Sequence, residues 1–351
     1  MTLYQTMQMG VGPLKNAIKT TENQKDKRKY LFAFVLKNIL CVAFCFVFVT
    51  LFSLAFQAEN SVVGVLTLLA ILAFRFVDFH YDMKESYLAM MLIFVIEAIG
   101  PHLGHIVHPA LATLVHFVSL LLIVILSCYE VSFANHFVFV LGYILLWGND
   151  VSGLLYFQRL LACLVGGLLV TAVLYHQHRH KLYEVKLKDV FLEFFQHNPR
   201  SIWQLKICSL IALVMLLGET FHYPKTMWIC FACMSLTTLE PQQHHFKFKR
   251  RTPFVIIGGL IFLILYSILP TELLAYMGII GGICVGFSAS YSWQTAFNCL
   301  GALATGLTTF GLYGVIILRI VSNFLGSIIS YIYQHIFDFF YHFAYKKRMN
   351  S

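Results

Sequence analysis

The sequence predicts an all-α fold: a polytopic helical membrane protein of about twelve transmembrane helices, arranged as two parallel six-helix repeats. Three observations predict it. The chain is 59% hydrophobic and only 12% charged, against about 25% charged in soluble domains. Window after window of roughly 20 residues is almost wholly apolar, the length that crosses a bilayer as a helix. An arginine leading an apolar run towards a glycine seven residues on occurs twice, at Arg159 with Gly166 and at Arg319 with Gly326, as a duplicated unit would give. An arginine inside hydrocarbon is costly, so each marks a functional hypothesis.

Residues 1–30 form a basic segment, expected in the cytoplasm, with Lys15, Lys19, Lys25, Lys27, Arg28 and Lys29. They lack the apolar core and small-residue site of a cleavable signal, so the first span is expected to act as its own insertion signal. The first repeat is placed at 31–175, with spans at 31–56, 61–77, 86–101, 109–128, 135–147 and 154–175. Gly148-Asn-Asp-Val-Ser-Gly153 reads as a turn. Residues 176–202 are expected as a cytoplasmic linker. There Leu182, Val185, Val190, Phe191 and Phe194 recur at near-helical spacing, the pattern of an amphipathic helix on the membrane face. The second repeat is placed at 203–335, with spans at 203–220, 225–239, 253–269, 272–288, 294–310 and 313–334. Between its second and third spans Glu240–Thr252 reads as a basic loop. Residues 336–351 are a basic cytoplasmic tail carrying Lys346, Lys347 and Arg348.

Charge placement orients this scheme. Of the 25 Lys and Arg residues, 20 fall in the N-terminal segment, the even-numbered loops and the tail. That asymmetry puts both termini in the cytoplasm, and the bacterial cytoplasmic membrane is the expected location. Lys225 alone falls in an outer loop. The net charge of +9 therefore reflects membrane orientation, and a nucleic-acid partner is not expected.

Other chemistries find little support. Nearly all nine cysteines sit inside apolar spans, where cysteine behaves as a small hydrophobe. Cys230 and Cys233 form a lone CxxC without the second ligand pair of a zinc site. His102, His105 and His108, His176, His178 and His180, and His244 with His245 lack supporting Cys or carboxylate spacing, so no metal is expected. No nucleotide-binding loop, HExxH, GxSxG or kinase motif is present. An enzyme and a cofactor are therefore not expected.

The halves correspond elsewhere too. Leu36-Lys37 opens the first span and Leu205-Lys206 the seventh, while Lys84 precedes the third and Arg251 the ninth. Gly278, Gly282 and Gly286, with Gly301 and Gly306, provide the small residues that let helices approach closely in lipid. Parallel repeats place a transport route at their interface in known transporters.

Met227-Trp228, the Leu239-Glu240-Pro241 end of the eighth span, and the arginine-led helix Arg251-Thr-Pro-Phe-Val-Ile-Ile-Gly258-Gly259 carry a resemblance. Over nearly all of 31–335 the chain resembles the fusaric acid resistance, or aromatic acid exporter, superfamily. Its members share an early tryptophan, a terminal proline and an Arg-x-x-Gly-Thr-x-x-Gly helix in that order. The Arg159 and Arg319 helices look like the family's closing helix of each half. Phe254 and Val255 stand where the family has Gly-Thr, and the large cytoplasmic domain of many members is reduced to about 176–202. The resemblance implies export of small organic anions, often aromatic. Plant malate channels share the membrane fold, so it also leaves open a passive anion channel.

The candidate residues follow. Arg159 and Arg319 are expected some 6–9 Å below the outer edge, either lining an anion path or serving helix–helix packing or snorkelling to the surface. Trp228 is expected either to stack on substrate or, with Tyr291 and Trp293, to anchor the aromatic belt. Arg251, with Lys84, Lys37 and Lys206, is expected at the cytoplasmic mouth, where it either anchors the helix or concentrates anions. Glu97 and Glu219 are candidates for proton coupling or for a salt bridge. The expected partners are a small organic anion, the bilayer and a second copy of the chain in a homo-oligomer. The function that the resemblance implies is secondary export of organic anions, aromatic carboxylates first among them. The alternatives are a passive channel on the same scaffold and a non-transporting protein of envelope assembly.

Overall fold

The computed structural model describes residues 2–196, 198–274 and 276–349, the side chains of 241, 271 and 342–349 excepted. It is 84% helix, with no strand among the described residues. The helices are α1 (Leu3–Gln8), α2 (Val11–Thr20), α3 (Gln24–Phe56), α4 (Ser61–Phe74), α5 (Met83–Ile106), α6 (Pro109–Ser127), α7 (His136–Trp147) and α8 (Leu154–His178). They continue with α9 (Leu187–Phe194), α10 (Pro199–Thr220), α11 (Met227–Leu236), α12 (Pro241–Ile268), α13 (Thr271–Leu274), α14 (Met277–Phe287) and α15 (Tyr291–Met349). Among the described residues seven helices are long and apolar enough to cross a membrane. Four more apolar helices are shorter, at Ala58–Phe74, His136–Trp147, Met227–Leu236 and Met277–Phe287.

Every apolar segment read from the sequence is at least partly helical. Two differences concern what lies between segments. The basic stretch Glu240–Thr252 is not a loop, because α12 starts at Pro241 and runs through it. Proline fits a first helical turn, and the Gln, Lys and Arg residues that follow are good helix formers with no glycine among them. The linker helix is shorter than its apolar spacing suggested and covers only 187–194. Val185 is outside it because its carbonyl accepts a hydrogen bond from the Asp82 N–H at 2.8 Å. Residues 294–310 and 313–334 both lie in α15, whose helical path breaks at Gly311 with φ of 68°. L side chains rarely adopt that conformation, so glycine is the natural residue there. Lys346, Lys347 and Arg348 of the expected basic tail are helical in backbone, and their side chains lie outside the described residues.

The chain forms two compact units, Met1–Val47 with His245–Phe324, and Phe48–His244 with Leu325–Ser351. In the second unit α5 packs on α6, α7 and α8, while α10 packs on α6 and α11. Gly166 brings α8 against Thr67 and Phe94, and Gly104 brings α5 against the His116 ring. The Lys206 ammonium pairs with Asp338 at 2.5 Å, and the Tyr333 hydroxyl donates to Ser209 at 2.8 Å. These contacts tie the end of α15 to α10.

The linker is strapped to the loop between α4 and α5. The Asp78 carboxylate is fully buried and receives Lys181 at 2.6 Å, the Tyr183 hydroxyl at 3.0 Å and the His80 N–H at 2.8 Å. Glu85 accepts from the Leu187 N–H at the start of α9.

In the first unit α12 runs antiparallel to the part of α15 beyond Gly311. Arg251 meets Asn323, and eight residues further along α12 Gly259 meets Ile316. Gly258 lies against the Ala296 carbonyl, and α14 crosses the earlier part of α15 where Gly278 meets Gly301. Phe34 of α3 packs edge-on against Phe287 at 5.2 Å.

Candidate functional site: two arginine sites and a buried glutamate

Arg159 stands in the second turn of α8 and is 2% exposed. Its Nε donates to Asn60 Oδ1 at 3.0 Å, Nη2 to the Glu59 carbonyl at 3.2 Å and Nη1 to the Leu146 carbonyl at 3.5 Å. The Asp150 carboxylate lies 4.0 Å away. Leu146 is one of the last carbonyls of α7, which have no partner within their own helix. Asn60 is itself held by donating to the Phe56 and Leu155 carbonyls. Arg159 thus staples the turn before α4 to the end of α7. It does not reach outward to the surface, because these acceptors hold it inside.

Arg319 is also buried, at 8% exposure, and so is Arg251, at 7%. Arg251 Nε donates to Asn323 Oδ1 at 3.0 Å, and Nη1 donates to the Tyr291 hydroxyl at 3.2 Å. The Asn323 amide in turn donates to the Arg319 carbonyl at 2.8 Å, and the Arg319 guanidinium lies near Cys299 as well as Arg251. Among the described residues Arg251 has no carboxylate within ion-pair distance. Lys247 adds a third cation, 5.7 Å from the Tyr291 ring centroid.

The sequence reading set Arg319 and Arg251 near opposite ends of their spans, whereas the structure brings them together through Asn323. From Arg251 to the end of α12 is 17 residue steps, about 26 Å, whereas Gly311 to Asn323 is only 12 steps, about 18 Å. With Asn323 set against Arg251, Arg319 is carried to within about one helical turn of Arg251.

Glu97, midway along α5, is 0% exposed. Neither of its carboxyl oxygens has a hydrogen-bond partner. It faces Gly142 of α7, where a Cβ would come within 3.2 Å of Oε1, and Cys163 of α8 is near enough to feel its charge. Glu219, by contrast, is half-buried near the end of α10 and accepts from Trp147 Nε1 at 3.1 Å. Trp228 is buried, at 2% exposure, near the start of α11, in the unit that does not contain Arg251 and Arg319. Trp293, by contrast, is exposed.

The histidines are distributed to separate partners. His102 pairs with Asp150 at 3.0 Å, His105 Nε2 lies 2.8 Å from the Trp147 carbonyl, and His108 caps α6. Among the described residues no three His, Cys, Asp or Glu side chains gather as a metal site would require. Cys233 donates to the Gly326 carbonyl at 3.4 Å, so the CxxC is engaged in helix packing.

Sequence reasoning missed Asn60, Asp150, His116 and Tyr143. Asn323 was legible, since it follows Arg319 by one turn on the same helix face. The α5–α8 contact leaves an apolar crevice of about 110 Å³ lined by Phe94, Ala98, Cys163 and Leu164 among others. That is well below the roughly 300 Å³ at which ligand pockets begin.

Residues 207–333 match the family described as fusaric acid resistance protein-like. The matched stretch contains Glu219, Trp228, Arg251 and Arg319, and it supports the resemblance read from the sequence. No curated protein and no solved structure matches the chain.

Proposed function

We propose, taking as premise the fusaric acid resistance protein-like match of residues 207–333, that this chain is a secondary exporter of small organic anions, aromatic carboxylates first among them. The observation that carries the reading is the pair of buried arginines joined through Asn323. Two guanidinium groups held close inside a membrane protein repel each other, and a carboxylate between them would offset that repulsion. Arginine's planar fork matches a carboxylate in two parallel hydrogen bonds. Tyr291 and Asn323 supply the polar lining, and Phe254 with Trp293, 5.5 Å apart, supply aromatic surface next to it.

In this reading the chain has twelve spans in two parallel repeats, with 31–175 and 203–335 as halves. It lies in a bacterial cytoplasmic membrane with both termini inside, an orientation that the distribution of Lys and Arg supports. Arg251 and Arg319 then face substrate arriving from the cytoplasm. Glu97 is the proton-carrying group, since a bare carboxylate is far costlier to bury than the neutral acid. Arg159 is assigned to the scaffold and not to the anion path.

The test is efflux of radiolabelled benzoate, with fusaric acid in parallel, from proteoliposomes. Wild-type protein should export under a pH gradient, Arg319→Met and Arg251→Met should not, and all should elute as folded protein. Export unchanged in both variants would remove the arginine site. Conductance in planar bilayers without dependence on the pH gradient would replace the exporter with a channel.

A further inference from the structure

We infer that Glu97 is loaded with its proton through a relay of His116 and Tyr143, supported by Ser119, that runs along one glycine-lined face of α5. The inference rests on the proton-coupled reading of Glu97 and adds the route. Along α5, Glu97, Gly100 and Gly104 share a face, at steps of three and four residues. Each glycine admits a polar side chain from a neighbouring helix. A Cβ at Gly100 would lie 2.7 Å from Ser119 Oγ and 3.0 Å from the Tyr143 hydroxyl, and one at Gly104 would collide with the His116 ring. Two of these groups are joined, His116 Nδ1 lying 2.9 Å from the Tyr143 hydroxyl. All four side chains are buried.

The two ends of this ladder carry the argument. His116 Nε2 is buried with no hydrogen-bond partner, and so are both Glu97 oxygens. Buried polar groups are almost always satisfied, so three orphaned atoms on one short path call for a functional account. The ladder covers seven residue steps of α5, about 10 Å. It points towards the end of the bundle where α5, α7 and α10 finish and α6 and α8 begin. There His105 is exposed and Asp150 part-exposed, so the ladder ends near polar groups that reach solvent.

Proton balance is straightforward. One proton enters at His116 Nε2, the Nδ1 proton passes to the Tyr143 oxygen, and the tyrosine's own hydroxyl proton moves to the Glu97 carboxylate. The imidazole resets by turning its ring, so that the nitrogen now carrying the proton faces Tyr143 and the bare nitrogen faces the entry. A turn of the Glu97 side chain spans the remaining gap of one helical turn. The titratable and charged groups around the path are His102 and His105 of α5, His116 of α6 and Tyr143 of α7. Asp150 follows α7, Tyr156, Arg159 and Cys163 belong to α8, and Glu219 of α10 reaches Trp147.

The experiment reads proton movement and substrate movement separately in proteoliposomes holding a pH-sensitive dye. Glu97→Gln should abolish proton-coupled benzoate flux yet keep benzoate–benzoate exchange. Tyr143→Phe and His116→Asn should slow coupled flux about tenfold, the loss worth one hydrogen bond. They should also flatten its pH dependence and lower its deuterium isotope effect, with exchange unchanged. Should His116→Asn fail to fold, His116→Gln and the infrared carboxylic-acid band of Glu97 provide the second reading. That band should vanish in Glu97→Gln and should appear more slowly after a pH jump in Tyr143→Phe. Wild-type coupling in both relay variants, with Glu97→Gln inactive, would overturn the relay and leave Glu97 in place. A protein that moves no benzoate at all would fail the exporter reading, while the infrared kinetics would still decide the relay.

Discussion

Two helix pairs in this protein present the same pattern to opposite effect. On α8, which packs on α5, Arg159 sits beside a carboxylate and three acceptors, from the turn before α4 and the end of α7, that hold it in place. In α12 with α15, Arg319 sits beside a second arginine. The residue one turn after each arginine differs accordingly, Cys163 in one pair and Asn323 in the other. The partner across the pair reverses sign, since Cys163 feels Glu97 whereas Asn323 receives Arg251. A buried charge whose needs are met by its own chain is a structural device. A buried charge set beside a like charge is a candidate to meet an anion from outside, whatever else its own chain offers it.

The largest expected effect separates these roles. Arg159→Met leaves Asn60 Oδ1 and two backbone carbonyls without their donor and removes the cation beside Asp150, and should cost about 3 kcal/mol or more in stability. Thermal unfolding in detergent, or loss of folded protein on a sizing column, checks it. Arg319→Met removes a repulsion instead, and should leave the melting temperature equal or higher. Its cost falls on transport, with benzoate efflux reduced about 10–100-fold, the worth of a charge-assisted hydrogen bond or two. If Arg159→Met were stable and transport-dead while Arg319→Met unfolded, the contrast between the two sites would be reversed.

How far the sequence discloses this depends on the distance over which each feature is encoded. The helices are legible because apolar runs report them locally, and the family resemblance was visible in Trp228 and the Arg251–Gly259 helix. The sense of Arg251 and Arg319 as a pair was not, because it depends on which turn of α12 meets which turn of α15. Reading Glu240–Thr252 as a loop placed Arg251 at a helix end, and the error followed from taking charge as a sign of a loop when Gln, Lys and Arg are also good helix formers. Asp150 and Asn60 lie in turns, where nothing periodic announces that both will converge on Arg159. His116 carried no signal beyond being a polar residue in an apolar run, which is itself the default mark of function inside a membrane.

A smaller effect tests how Arg159 is neutralised. Asp150→Asn keeps the shape of the side chain and removes its charge, while the three acceptors of Arg159 remain. Stability should fall by about 1 kcal/mol, since Asp150 is partly exposed and 4.0 Å distant. His102, 3.0 Å from Asp150, loses its partner in the same step, so His102→Gln in the Asp150→Asn background should add little. A double-mutant cycle on melting temperature measures that coupling. Independent, additive losses would mean that Asp150 serves Arg159 and His102 through separate contacts.

The smallest effect concerns the same principle with the sign reversed, at the strap between 176–187 and the α4–α5 loop. Burial pushes the Asp78 carboxyl up, but the Lys181 and His80 N–H hydrogen bonds, the Lys181 charge and the Tyr183 hydroxyl together bring it below its ordinary value. A carboxyl lowered in the folded state contributes stability that is complete above its unfolded value and is lost as pH falls through the folded one. The strap should therefore be intact at neutral pH and release only in acid, below the ordinary carboxylate range. Lys181 is 44% exposed, and solvent screening keeps the gain small. Amide exchange at Tyr183–Leu187, followed as pH is lowered, should report release of the strap before global unfolding. Asp78→Asn should show that fast exchange already at neutral pH and lose its acid dependence. Uniform protection of this segment down to the pH of global unfolding would mean that the Asp82–Val185 backbone bond and the Glu85–Leu187 contact hold the linker without Asp78.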